Sequence, residues 1–133
     1  MSLSNEERAT LVALELKKAR ETYEDISILL NANRLNGAAN RMYYAVFHAV
    51  CALLINDGHQ VNTHKGSHAL FSLNYIKTGI LPKEYGLLYN QLQTMREESD
   101  YNCAYDVDID ELQQRLEPAK SFIDDIEKLI KKQ

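Results

Sequence analysis

The chain has 133 residues, 45% hydrophobic and 26% charged, with only five glycines and two prolines. That length and balance fit a single globular domain over residues 1–133 with its own core, and they favour helices over long loops. A net charge of −4 and a pI near 5.5 exclude a generally basic coat for nucleic acid, while leaving room for a local basic groove.

The first helix starts near Ser4, because Ser4 and Glu7 have the S-x-x-E spacing of a capping box. Val12, Leu16, Ala19, Tyr23, Ile26 and Leu30 then recur at steps of four and three, which makes one apolar seam. Residues 31–37, NANRLNG, break the pattern as a turn. A second helix covers residues 38–56 and stops at Asp57-Gly58. Its apolar residues lie nearly all round the axis, so it is central and enclosed. Residues 45–55 are apolar apart from His48, fewer than the roughly 20 a membrane span needs. A polar loop over residues 59–66 leads to a third helix over residues 67–77, closed by Thr78-Gly79. Pro82 fits the first turn of a fourth helix, which carries Tyr85, Leu88, Leu92 and Met95 and reaches about Asp100. After a loop over residues 102–107, Asp108 and Glu111 cap the last helix. Its seam is Leu112, Leu116, Ala119, Ile123, Ile126 and Ile130, with Pro118 marking a kink or the true start. Lysines at its end offset the dipole.

The expected fold is therefore all-α, an antiparallel up-and-down bundle of four main helices plus a shorter one. No strand-like alternation, repeat or phosphate-binding glycine loop appears. Cys51 and Cys103 lack CxxC spacing and read as reduced thiols. The N-terminus, MSLSNEERAT, is polar and acidic and does not read as a signal peptide. The expectation is a cytoplasmic protein away from the membrane, with no cofactor.

Three polar clusters carry the chemistry. On the second helix, Arg41, Tyr44, His48 and Ile55 share one narrow arc, with Met42, Tyr43, Val46, Val50 and Leu53 opposite. An Arg enclosed in a core needs an anionic partner, and His48 needs a hydrogen bond. Either Arg41 pairs with a carboxylate from another helix and His48 with Tyr44 or a backbone carbonyl, or the stripe faces a cleft where Arg binds phosphate and His acts as acid or base. NTHKGSH holds His64, Lys65 and His68. The four-residue His spacing would suit a metal, but no third ligand is spaced to join it, so no metal is expected; a solvated loop or an anion site near Lys65 fits better. MREESDYN holds Arg96, Asp100 and Tyr101. Arg96 and Asp100 suit a local helix ion pair, and Tyr101 stands at the helix end.

Taken in order, NRMYYAVFHAVCALL, THKGSHALF, GILP and MREESDY, across residues 40–101, resemble the HEPN superfamily, and within it a prokaryotic branch of stand-alone domains. The resemblance implies an up-and-down bundle that forms a homodimer through helices lining a shared groove. Many such proteins are metal-independent endoribonucleases, often toxins of toxin–antitoxin or defence pairs. A small nucleotidyltransferase is a common partner, and other members bind nucleotides or act as scaffolds. Catalytic members carry Arg, then four to six residues, then His on a late long helix. The corresponding segment here begins at Arg96, and the residue five beyond it is Tyr101. Arg41 and His48 have six residues between them but lie on the second helix.

Two main readings follow. In the favoured one the domain binds a nucleotide or RNA, or serves as an interaction module. Arg41, His64, Lys65 and Arg96 hold the anion, with Tyr44, Asp100 and Tyr101 beside it, and Tyr101 is a candidate acceptor for a nucleotidyltransferase partner. In the other it is a ribonuclease, with His48 as base and Arg41 and Arg96 on the phosphate. A dimeric scaffold without catalysis is the third.

Overall fold

A computed structural model describes residues 3–132. Its helices are α1 (Asn5–Asn31), α2 (Leu35–Asn56), α3 (His64–Phe71), α4 (Lys83–Tyr101) and α5 (Ile109–Lys131), and a π-helical stretch, Ser72–Ile76, continues α3. No strand occurs among the described residues. The architecture is the expected all-α bundle of four long helices and one short one.

The start of α1 follows from its capping box. Ser4 Oγ accepts from the Glu7 amide at 3.1 Å, and Glu7 Oε1 accepts from the Ser4 amide at 2.9 Å. The buried seam, however, is Val12, Ala19, Thr22 and Ile26. Leu16, Tyr23 and Leu30 are only half-buried. The helix is thus rotated from the expected face, and Glu15, at the 12–15–19 spacing, is carried inward with the seam.

One residue reverses the chain between α1 and α2. Asn33 takes a left-handed conformation, φ 59°, which Asn tolerates better than most side chains. The rest of the expected turn is then free to be helical, so α2 begins at Leu35 rather than at residue 38, with the Ala38 amide bonded to the Arg34 carbonyl. As expected, α2 is central, touching α1, α3, α4 and α5. Ala38, Ala39, Ala45, Ala49 and Ala52 are fully buried on it, and such small side chains let neighbouring backbones approach. By length and composition α2 could cross a membrane, yet 67% of its most apolar window is covered by the rest of the bundle, as befits a core helix.

Thr63 moves the start of α3 forward to His64. Its side chain accepts from the Gly66 amide at 2.8 Å, so His64 and Lys65 lie in the first helical turn and not in a loop. Gly79, φ 77°, closes the segment after Ile76. Pro82 stands just before α4 rather than within its first turn. Asp108 caps α5 as expected, but through the Asp110 amide at 2.9 Å. The helix then runs on through Pro118, which is therefore not its start. Lacking an N–H, Pro118 leaves the Gln114 carbonyl without its intrahelical donor.

Polar clamps tie α1 to α5. Arg20 donates to Asp124 at 2.6 Å and to Glu127 at 2.8 Å, and the Tyr23 hydroxyl donates to the Leu116 carbonyl at 2.7 Å. The core beneath joins Ile26, Met42, Tyr43, Leu53, Leu54, Phe71, Tyr89, Leu92, Leu112, Phe122, Ile123 and Ile126.

Candidate functional site

The three polar clusters meet around two neighbouring rings of α2, Tyr43 and Tyr44, whose centroids are 5.1 Å apart at 80°. Tyr43 is fully buried, while Tyr44 is half-buried at the edge of the bundle. Arg96, from the last part of α4, lies over both. Its guanidinium carbon is 4.9 Å from the Tyr43 centroid and 5.8 Å from that of Tyr44. Arg41 lies over Tyr44 at 5.3 Å. Two cations therefore share one aromatic ring.

Arg96 is buried, 9% exposed, so its pair with Asp100 at 3.6 Å is not the exposed helix pair that the four-residue spacing alone suggests. Burial on its own disfavours the Arg96 charge. Tyr44, Tyr43, the Tyr101 hydroxyl and Asp100 outweigh it, and the guanidinium is held above its ordinary pKa. Its Nε is buried without a hydrogen-bond partner among the described residues. Among the described residues Arg41 pairs with no carboxylate. Its Nε and one terminal nitrogen donate to the Asn40 side-chain oxygen, and the Asn40 amide in turn donates to Asp100 at 3.3 Å. Of the two alternatives for Arg41, the ion pair with a carboxylate from another helix is not found among the described residues.

His48 is held by Glu15 on α1, with Nδ1 2.9 Å from Oε2, and not by Tyr44 or a backbone carbonyl. His64 enters from the first turn of α3. Its Nδ1 lies 3.1 Å from the Tyr43 hydroxyl, and its ring is 4.4 Å from Phe47 and 5.7 Å from Tyr44. Burial lowers the His64 pKa, and the positive charges of Arg96 and His48 push it down further. His68 points its chemistry elsewhere, stacking flat on Tyr89 at 4.2 Å and 2°. No group of three or more His, Cys, Asp or Glu gathers as a metal site among the described residues. Lys65 is exposed on α3. Tyr101, the last residue of α4, is 78% exposed.

So Arg41, Tyr44, His48, His64, Arg96, Asp100 and Tyr101 come together, and Lys65 stays outside the packed cluster. Sequence reasoning missed Glu15, Asn40, Tyr43 and Phe47. Glu15 carried a signal in its seam spacing. Tyr43 reads as a core-face residue, and its ring is buried there, but its hydroxyl reaches past that face to His64.

A helical bundle with a two-arginine aromatic face is the class that fold and site define. The HEPN domain family matches residues 12–131, and the chain belongs to it. A protein of Thermotoga maritima named UPF0332 protein is 36% identical over 124 residues, covering 93% of this chain and 94% of that one. Two proteins of Methanocaldococcus jannaschii carrying the name "Putative toxin" are 27% identical over 129 residues and 26% identical over 115. The first alignment spans 97% of this chain and 95% of the relative, the second 86% and 78%.

Proposed function

We propose that this HEPN domain is a toxin-type module that binds RNA or a nucleotide on the face formed by Arg41, Tyr44, His64 and Arg96. The observation that supports it is the pair of guanidinium groups on the Tyr44 ring, 5.3 and 5.8 Å from its centroid, in a chain of net charge −4. Both cations are drawn to the same ring, and among the described residues only Arg96 has a carboxylate partner. A phosphate bound beside the Tyr44 ring would use the fork geometry of both groups. The neighbouring rings of Tyr44 and His64 suit stacking with a base. The names of the Methanocaldococcus jannaschii relatives favour the toxin setting. The domain would act as a homodimer beside a small nucleotidyltransferase, in the cytoplasm.

The test is fluorescence anisotropy with a labelled single-stranded RNA, with AMP and ATP as competitors, on wild type, Arg41→Met and Arg96→Met. Each variant should weaken binding about tenfold or more, a loss of roughly 1.4 kcal/mol. No binding of any of the three ligands by wild type, or unchanged affinity in both variants, sinks the reading.

Tyr101 supports the partnership. It is 78% exposed and its hydroxyl interacts with Arg96, so a nucleotidyltransferase could reach it beside the phosphate site. Incubation with such an enzyme and ATP should add nucleotide mass to wild type and not to Tyr101→Phe. Equal labelling of both removes Tyr101 from that role.

A further inference from the structure

A single carboxylate stands behind both guanidinium groups of the face. Asp100 Oδ2 lies 3.6 Å from a terminal nitrogen of Arg96, and the same oxygen accepts from the Asn40 amide at 3.3 Å. The side-chain oxygen of Asn40 faces the other way. It accepts from Arg41 Nε at 3.1 Å and from a terminal nitrogen of Arg41 at 2.5 Å. Asp100 therefore meets Arg96 directly and reaches Arg41 through Asn40. Arg96 gains few hydrogen bonds from this arrangement. Its approaches to Asp100 and Glu97, at 3.6 and 3.9 Å, are both longer than a hydrogen bond, and its buried Nε has no partner among the described residues. A guanidinium only 9% exposed is thus left with donors to spare, and buried donors without partners are costly.

The same contacts set the charge of the face. Arg41 and Arg96 bring two positive charges, and Asp100 cancels one of them. An anion entering the face is attracted in proportion to its charge, while the cost of stripping its water grows with the square of that charge. A face left with about one net charge suits a singly charged anion, and a face with about two suits a doubly charged one. The phosphodiester of a nucleic-acid strand carries one charge, whereas a terminal phosphate carries about 1.5 to 2 near neutral pH. The Asp100 side chain is 31% exposed, so water screens it only in part. Glu97 stands farther from Arg96 and its side chain is 51% exposed, so its charge counts for less.

We infer that Asp100, coupled to Arg41 through Asn40, is the specificity-determining residue of this face: its fixed negative charge admits a singly charged phosphodiester and disfavours a doubly charged terminal phosphate. The inference rests on the anion-binding reading above and goes beyond it by assigning the charge of the ligand to one residue. Asp100 is no phosphate contact itself, because a carboxylate only accepts and offers a phosphate no donor. It acts through the field it adds. Asn40 is a positioning residue, holding two nitrogens of Arg41 on one oxygen while that guanidinium lies over Tyr44. Asp100→Asn removes the charge and keeps an oxygen for the Asn40 amide, so the field changes while the hydrogen bond is retained.

The experiment compares AMP with its phosphate methyl ester. The two share base, sugar and phosphorus and differ by one charge at about pH 7.5. Calorimetric titration at low salt measures both ligands, with adenosine as the uncharged control, on wild type, Asp100→Asn, Asp100→Ser and Glu97→Gln, and RNA affinity is measured in parallel. Wild type should bind the ester at least as tightly as AMP. Asp100→Asn should shift the ratio of the two affinities about tenfold toward AMP, and Asp100→Ser, which loses the same charge, should shift it alike. Glu97→Gln should shift it less than about threefold. An unchanged ratio in both Asp100 variants, an equal shift in Glu97→Gln, or a wild type that prefers AMP by about tenfold overturns the inference. RNA binding by wild type, with neither small ligand held by wild type or by Asp100→Asn, overturns it too and leaves the binding reading in place. AMP bound by Asp100→Asn, with no ligand bound by wild type, retires the binding reading and upholds Asp100 as the excluding charge. No binding by any of these proteins removes both.

Discussion

The placement of His64 depends on a cap that one methyl group would break. Gly66 donates its amide to Thr63 Oγ1 at 2.8 Å, and a Cβ on residue 66 would fall 2.8 Å from the same oxygen. Gly66→Ala must rotate the Thr63 side chain away and lose the cap, at about 1 kcal/mol. Against that, Ala in a helix is favoured over Gly by roughly 0.8–1 kcal/mol. The two nearly cancel, so the melting temperature of Gly66→Ala should stay within about 2 °C of wild type. Thr63→Ala loses the cap with nothing in return. At about 2.1 cal/mol/K per residue, 1 kcal/mol lowers the melting temperature of a chain this size by ~4 °C. In the double variant the cap is already gone, so Gly66→Ala should now stabilise by roughly 1 kcal/mol, giving a coupling of about that size. Thermal melts of the four proteins measure the cycle, and RNA affinity reports His64. Additive effects, or undiminished affinity in Gly66→Ala, would refute the claim that Thr63 and Gly66 together hold His64 in place.

Further outcomes follow from the clamps and the thiols. Lys131, Arg20 and Lys120 hold the carboxyl of Glu127 or Asp124 below its ordinary value, overcoming the burial that opposes this at Asp124. Their stabilisation is present above the unfolded pKa near 4 and is lost as pH falls through the lower folded value, so the stability gap between wild type and Arg20→Met should be largest at neutral pH and close below about pH 4 in urea melts. His64 and His68 are both depressed, chiefly by burial, so their contribution is present above about pH 6.5 and is lost as pH falls through the folded values; NMR titration should find both midpoints below 6.5. Burial pushes the Cys51 thiol up to about 12 while Cys103 is exposed, so Ellman's reagent should titrate one thiol quickly in the native protein and two after unfolding. Pro118→Ala restores a donor to the Gln114 carbonyl and should stabilise by at least about 1 kcal/mol, raising the melting temperature by several degrees.

The helices and their order were legible because their seams and caps are local signals. Ser4–Glu7, Asn33 in its turn and Asp108 all act within a few residues of themselves. The site was legible only in part. Arg41, Tyr44 and His48 share a helical arc, and that survives. What joins them to Arg96 and His64 is the packing of α2 against α3 and α4, which no spacing within one helix encodes. Glu15 reads as a surface acid until His48, 33 residues later, is placed against it. Residues 64 and 65 read as loop because only the Thr63 cap marks a helix start there, and residues 31–37 read as turn although a single left-handed Asn33 suffices, so α2 starts earlier than its apolar pattern suggests.

The chain contains no tryptophan and eight tyrosines. Tyr43, Tyr44 and Tyr89 stand within 6 Å of one another through Tyr43, with a guanidinium over the first two. Rings that close couple their electronic transitions, so the near-ultraviolet signal of this protein is weighted toward its candidate site. An unlabelled ligand arriving on Tyr44 would announce itself in tyrosine emission and in the circular dichroism band near 280 nm, with no dye attached and no competing indole to mask it.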